Sequence, residues 1–309
     1  MKQALVTGGA GFIGSHLVAA LVKCGVRVRV LDDFSTGHST YLAGLPVKVV
    51  RGDVADADVV NTAVSGCDTI FHLAALVSVP QSIENPTLNH QSNVTGFFNV
   101  LEAARKTAVQ RVVYSSSAAV YGNLPHLPKQ ETSPTQPITP YAAAKLINEM
   151  QAAVYYRIYG LQAIGLRYMN VFGPRQHPTS PYSGVLSIFC RAAVTQQNIV
   201  IYGDGTQTRD FVYVDDVVAA NLAAGAVPFD PETAVFNIGR GEQTSLNQIV
   251  QLLERLTKRP LPVIYTPPRP GDIKHSAADI TLAQKKLGWQ PQTPLEKGLR
   301  HTLQWLQTL

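Results

Sequence analysis

The sequence predicts an α/β fold: a doubly wound parallel sheet, completed by a smaller C-terminal α/β domain. Three observations carry this. Short apolar runs alternate with amphipathic stretches over the first two-thirds of the chain, a glycine-rich turn separates the first run from the first helix, and the pattern changes after Tyr168. Residues 4–6 form the first apolar run, and residues 12–23 follow the glycine turn with helical spacing. Residues 26–31, 47–50, 69–72 and 111–114 have strand character, with helical patterns at 56–64 and 93–106 between them. Strands this short and apolar, separated by helices, belong to a parallel sheet covered on both faces. Residues 170–184 are rich in Pro and Gly, and residues 260–271 carry five prolines in twelve positions. Both segments are expected to be loops around a ligand. Residues 215–225 have the pattern of a helix returning to the first domain, and residues 295–306 that of a closing helix. The expected division is residues 1–169 with a returning segment of about 212–240, against residues 170–211 with 241–309.

Composition narrows the function. The 309 residues are 45% hydrophobic and 15% charged, enough for a large core and unlike a disordered chain. Lys plus Arg (26) exceeds Asp plus Glu (21) by five, and the excess is spread without a basic block. That argues against a nucleic-acid partner and fits a local pocket for an anionic small molecule. Cys24, Cys67 and Cys190 lie far apart without metal-ligand spacing, as expected of reduced thiols in a cytoplasmic protein that holds no metal. No apolar run reaches the roughly 18 residues of a membrane span, and Met1-Lys2-Gln3 leads straight into a strand, so neither a membrane segment nor a signal peptide is expected.

The glycine turn, Thr7-Gly8-Gly9-Ala10-Gly11-Phe12-Ile13-Gly14, follows a strand and opens a helix, the context of a Rossmann-type dinucleotide site. Gly8 permits a tight turn, Gly11 lets the backbone approach a pyrophosphate, and Gly14 allows close helix–strand packing. The helix N-terminus offers N–H donors to the anion. Asp32, at the end of the second strand, is placed to accept from an adenosine ribose diol and to repel a 2′-phosphate, favouring NAD over NADP. Gly52-Asp53-Val54 and Leu73-Ala74-Ala75 sit at the ends of later strands, although Asp53 suits a helix N-cap equally well.

Tyr141 and Lys145 are four apart at the start of an alanine-rich helix, hence on one face. An ammonium beside the phenol is expected to lower its pKa and make it a general base for an alcohol proton. Ser115-Ser116-Ser117 ends the fifth strand, where open parallel sheets bind ligands, and Ser117 is expected to hydrogen-bond the reacting oxygen.

The glycine loop, Ser115–Ser117 before Ala118-Ala119-Val120-Tyr121-Gly122, and Tyr141-x-x-x-Lys145 together resemble an extended short-chain dehydrogenase/reductase. Over essentially the whole chain the resemblance is to the UDP-glucose 4-epimerase family. It includes Leu166-Arg167-Tyr168-Met169-Asn170 with Gly173-Pro174, Gly203-Asp204-Gly205 before Arg209-Asp210-Phe211, and Arg269-Pro270-Gly271-Asp272. The resemblance implies Ser117, Tyr141 and Lys145 as catalytic residues. It implies NAD contacts from Gly8, Gly11, Phe12, Ile13, Gly14, Asp32, Asp33, Ser35, Thr36 and Gly37. Further NAD contacts are implied for Asp53, Val54, Leu73, Ala74, Ala75, Asn93, Ser115, Tyr141, Lys145 and Tyr168. A UDP-sugar would be met by Ser78, Ser117, Tyr141, Asn170, Val185, Tyr202, Arg209, Arg269, Asp272 and Ser276.

The implied reaction interconverts UDP-glucose and UDP-galactose through a transient 4-keto sugar. Ser276 stands where some epimerases carry a bulky tyrosine against the C2 substituent, so UDP-GlcNAc and UDP-GalNAc are expected as well. A homodimer built from helices 93–106 and 145–159 is a further expectation. A UDP-glucuronate 4-epimerase is the alternative that the sequence leaves open. A 4,6-dehydratase would want an acidic pair where Ser116 and Ser117 stand, a reductase would consume external NADH, and a redox-sensing binding protein should lack Tyr141 or Lys145.

Overall fold

The computed structural model describes residues 1–107, 109–177, 184–268 and 273–309. Its centre is a seven-stranded parallel sheet drawn from β1 (Gln3–Thr7), β2 (Arg27–Asp32), β3 (Val47–Arg51), β4 (Thr69–His72), β5 (Arg111–Ser117), β6 (Gln162–Tyr168) and a late returning strand (Val235–Ile238). The late strand pairs with β6, and the order from it to β3 is β6, β5, β4, β1, β2. The order reverses between β1 and β4, which places a ligand crevice at their carboxyl ends.

Adjacent residues in these strands serve opposite faces, which is why the runs carry no polar alternation. Val6, Val30, Phe71 and Val113 pack under α1 (Phe12–Lys23) with Leu17, Val18 and Leu21. Leu5, Leu31, Ile70 and Val112 pack on the other face, where α2 (Ala57–Val64) contributes Val60 and Ala63. Two short helices, α3 (Val79–Glu84) and α4 (Pro86–His90), precede α5 (Gly96–Arg105) and were not foreseen; Ser78 and Asn85 cap them, and each has a proline in its first turn. The helix expected at 93–106 therefore enters through a π-helical turn at Gln91–Thr95. The long α6 (Pro140–Tyr159) is capped by Thr139 and closes on left-handed Gly160.

Beyond β6 the chain forms β7 (Asn170–Phe172), α7 (Val185–Thr195), β8 (Ile199–Tyr202), β9 (Thr208–Arg209) and β10 (Phe211–Tyr213). Then α8 (Val214–Ala226) covers the α1 face of the sheet, with Val217, Ala220 and Ala224 in that core. The returning strand at Val235–Ile238 is β11, followed by β12 (Thr244–Ser245), α9 (Leu246–Thr257), β13 (Val263–Thr266), α10 (Thr281–Leu287) and α11 (Leu295–Leu306). A third core joins α7, α9 and α11 through Phe189, Ile249, Leu253 and Leu299. Two segments expected to be loops contain strands: β13 pairs in parallel with β8, and β7 pairs with β10. In each case the prolines flank the strand, where the missing N–H costs no ladder bond.

Candidate active site

At the end of β1 the chain turns on Gly8, held at φ 68°, where an added Cβ would lie 2.7 Å from the Ala74 nitrogen. A Cβ at Gly14 would fall 2.0 Å from the Gly8 oxygen. Both positions need glycine to bring β1, α1 and the loop after β4 together. At Gly11 an added Cβ would meet, among the described residues, only the Gly8 oxygen at 3.3 Å, so the space above that turn is open. Among the described residues no side chain caps α1, and its first turn, with Phe12 and Ile13, has no acidic residue. An open glycine cradle beside uncapped N–H groups suits the pyrophosphate of a dinucleotide.

The Asp32 carboxylate is buried at the end of β2 and accepts from the Ala10 N–H (2.8 Å) and the Phe34 N–H (2.9 Å). Burial raises its pKa, against these two bonds and with Asp33 adding to the rise. Gly37 closes over it: a Cβ there would sit 2.9 Å from Asp32 Oδ1. Asp33 accepts from the N–H and hydroxyl of Ser35, and Thr36 is exposed beside them. A cavity of about 290 Å³ lined by Phe34, Gly37, His38, Ser39 and Arg51 opens at this edge. Asp53 is not the cap of α2: it accepts from Ala55 N–H, while Asp56 caps the helix and Val54 is buried. Another cavity, about 690 Å³, is lined by Met1, Thr69, Arg111 and Gln162 at the opposite, amino ends of the strands.

Across the crevice, Leu73, Ala74 and Ala75 are half-buried and lead into a segment fixed by Asn93. Asn93 Oδ1 accepts from the Leu76 N–H (2.9 Å), and its amide donates to the Leu76 oxygen (3.0 Å) and to Asn89 Oδ1 (2.8 Å). Ser78 is buried and its hydroxyl caps α3, accepting from Gln81 N–H. His72, which sequence reasoning passed over, is buried beside Thr7, its Nδ1 2.9 Å from the Thr7 hydroxyl. Burial and the nearby Lys145 push its pKa down to about 3, so the ring is neutral.

Tyr141 and Lys145 project from the first turns of α6 toward the end of β5. Lys145 is buried, and its Nζ donates to the Ser115 oxygen (2.9 Å) and hydroxyl (3.1 Å). Burial lowers its pKa to about 8. The ammonium lies 5.8 Å from the centroid of the Tyr141 ring. The expected lowering of the phenol by that ammonium is not what the chain alone displays: burial raises the Tyr141 pKa, and its hydrogen bond with Ser117 opposes the rise. The cation is engaged with Ser115 rather than with the phenol oxygen. Tyr168 at the end of β6 stands directly across from Ser117 in the register, and its hydroxyl pairs with Asn221 of α8.

On the far side of the crevice, half-buried Asn170 opens β7 and donates its N–H to the Asp210 oxygen, and half-buried Val185 opens α7. Tyr202 ends β8 and is exposed, and half-buried Arg209 donates to the Thr208 oxygen at 2.9 Å. Ser276 is half-buried and ties its N–H to the Thr208 oxygen at 3.1 Å, so Ser276 and Arg209 are brought together on one short ladder. Arg269 and Asp272 lie outside the described residues. Asp210, passed over although it sits in the Arg209-Asp210-Phe211 motif, is a buried hub accepting from the N–H groups of Arg240, Gly241 and Ala278. Among the described residues no group of three or more His, Cys, Asp or Glu is placed to hold a metal, and no helix is long and apolar enough to cross a membrane.

The sequence profile of the NAD dependent epimerase/dehydratase family matches residues 4–239. A UDP-glucose 4-epimerase of Mycolicibacterium smegmatis is 38% identical over 311 residues, covering 99% of this chain and 98% of that protein. The solved UDP-glucose 4-epimerase of Thermotoga maritima with UDP-glucose superposes with a TM-score of 0.95 at 39% identity, covering 99% of each chain. A UDP-N-acetylglucosamine 4-epimerase of Methanobrevibacter ruminantium superposes equally well, with a TM-score of 0.95 at 36% identity over 99% of this chain and 98% of that one.

Proposed function

The chain belongs to the NAD-dependent epimerase/dehydratase family, and from that premise we propose that it is a UDP-hexose 4-epimerase. In this reading it interconverts UDP-glucose with UDP-galactose and UDP-GlcNAc with UDP-GalNAc. The observation that carries the reading is the meeting of Tyr141 and Lys145 with Ser117 and Ser115 at the carboxyl end of β5, across from the open glycine cradle. Residues 1–169 with 212–240 hold the cofactor in this reading, and residues 170–211 with 241–309 hold the UDP-sugar. Bound NAD would supply the hydride acceptor and donor, and its oxidised ring would add positive charge to the site.

The protein's own groups have distinct tasks. Gly8, Gly11 and the first N–H groups of α1 bind the pyrophosphate, and Asp32 selects the free ribose diol. Asp33, Ser35, Thr36, Gly37, Asp53, Val54, Leu73, Ala74 and Ala75 line the cofactor side, with Asn93 holding the loop. Tyr141 removes the proton of the sugar 4-hydroxyl and later restores it, and Ser117 hydrogen-bonds the same oxygen. Lys145 fixes Ser115 and supplies positive charge beside the phenol. Arg209, with Arg269, neutralises the diphosphate, while Asn170, Val185, Tyr202 and Asp272 hold the nucleotide. Tight binding at the UDP end leaves the hexose free to rotate in front of Tyr141. Ser276 leaves room at C2 for an N-acetyl group, and Ser78, at the start of α3, meets the sugar.

The outer face of α6 exposes Ile147, Met150, Val154 and Ile158, spaced at helical intervals, with Phe98 exposed on α5. A continuous apolar stripe on two neighbouring helices supports a homodimer that pairs them with a second copy. Three free cysteines support a cytoplasmic enzyme. The test is incubation of the purified protein with each UDP-sugar, UDP-glucuronate included, without added NAD, and separation of the C4 epimers. Turnover of both plain and N-acetylated hexoses is expected, with Ser276→Tyr losing the N-acetylated pair alone. Turnover of UDP-glucuronate only, or of no sugar, refutes the reading.

A further inference from the structure

The three serines ending β5 are matched, one for one, by three residues four apart on α6: Tyr141, Lys145 and Glu149. Ser117 engages Tyr141 and Ser115 engages Lys145. Ser116, between them, points to the opposite side of the strand, as strand alternation requires. There its hydroxyl donates to Glu149 Oε1 at 2.5 Å. Neither contact used by the proposed chemistry involves Glu149, yet Glu149 ties to the one serine flanked by both.

Glu149 is held in turn from β6. Arg167 lies directly across from Ser116 in the β5–β6 register and donates to both carboxylate oxygens, Nε at 2.9 Å and Nη2 at 2.7 Å. Its Nη1 donates to the Tyr121 hydroxyl (2.8 Å), which donates to Asn237 Oδ1 (2.6 Å). The Asn237 amide donates to the Lys129 oxygen (2.9 Å) and the Asp279 oxygen (3.3 Å), three residues beyond Ser276. Glu149, Arg167, Ser116, Tyr121 and Asn237 are all buried. A buried ion pair adds little net stability compared with apolar residues of the same size. Its bidentate geometry does fix angle and distance.

We propose that Glu149, clamped between Arg167 and Ser116, is a positioning residue that sets α6 in register on β5 and so holds the Tyr141 phenol against Ser117. The inference rests on Tyr141 being the proton-transfer group. Because a misplacement of about 1 Å can cost a factor of about a hundred in rate, a tie one helical turn from Lys145 and two from Tyr141 acts directly on turnover.

The test uses the full chain with its bound cofactor and three variants. Ser116→Ala removes one oxygen, Ser116→Thr keeps a hydroxyl, and Glu149→Gln removes the charge. Glu149→Gln leaves Arg167 buried without its counter-charge, so Ser116→Ala, which keeps that ion pair, is sufficient to decide. Expected for Ser116→Ala is a kcat lower by about tenfold with the KM for UDP-sugar within about twofold, restored by Ser116→Thr. A second readout needs no turnover: a ring-fluorinated tyrosine placed at position 141 and titrated by fluorine NMR. Its midpoint is expected to rise by about half a pH unit in Ser116→Ala, as the lowering contact with Ser117 loosens, and to return in Ser116→Thr. An unmoved midpoint overturns the proposal, whether or not the melting temperature or kcat changes. If the wild-type protein turns over no UDP-sugar, the functional reading fails by itself and the titration still decides the positioning role.

Discussion

Lys145→Met should make the protein more stable at neutral pH while abolishing its activity. The ammonium is buried and its pKa stands at about 8 instead of the ordinary 10.5. At about 1.4 kcal/mol per pH unit, keeping it charged in the folded chain costs about 3 kcal/mol. Methionine removes that cost and fills a similar volume, but leaves the Ser115 oxygen and hydroxyl without their donor, a loss of about 1–2 kcal/mol. The net expectation at pH 7 is a gain of about 1–2 kcal/mol. The sign with pH follows from proton counting. Between about pH 8 and 10.5 the unfolded chain binds the proton and the folded one has released it, so wild-type stability rises through that window; below it the penalty is constant. The advantage of methionine is therefore full at pH 7 and gone by about pH 10. Urea unfolding at both pH values, followed by the fluorescence of Trp289 and Trp305, measures it. A methionine variant less stable than wild type at pH 7, or a difference of the same size at both pH values, refutes the reasoning.

Tyr141→Phe should fold normally and lose about a thousandfold in kcat, checked by epimer separation alongside circular dichroism. Burial lifts the Asp210 carboxyl to about 6, so between roughly pH 4 and 6 the folded chain keeps a proton that the unfolded chain releases. Wild-type stability should fall as the pH rises through that window, and the difference between wild type and Asp210→Asn in denaturant midpoint should change across it and be flat above. Glutamates at both Met150 and Val154 should halve the mass measured by light scattering while leaving the secondary structure intact.

The sheet and its first helix were legible because apolar runs and glycine spacing are local signals. Residues 12–23, 69–72 and 295–306 are bounded in the structure as they are in the sequence. The glycine cradle and the Tyr141–Lys145 face were legible for the same reason. What escaped depended on distant partners. The strands at β7 and β13 exist because β10 and β8 lie beside them, and nothing in a proline-rich segment announces that. The cap that Ser78 places on α3 escaped as well, because it depends on a short helix that the sequence did not announce. For the chain by itself burial raises the Tyr141 pKa, and spacing revealed the neighbouring cation but neither the depth of burial nor the competing claim of Ser115 on that cation. Glu149 and Arg167 stood in quoted or adjacent stretches, and a signal was there: an acid one turn beyond Lys145 on the same face.

The return of β11 to the sheet edge has a practical corollary for dissection. A fragment stopped at residue 169 would strip β6 of its outer neighbour and remove α8, uncovering Val113, Ile164 and Leu166 to water together with an unpaired row of backbone groups. Such a piece should precipitate rather than bind a nucleotide. The two halves of this chain are thus woven: α8 and β11, which follow residue 213, complete the layers that begin with β1.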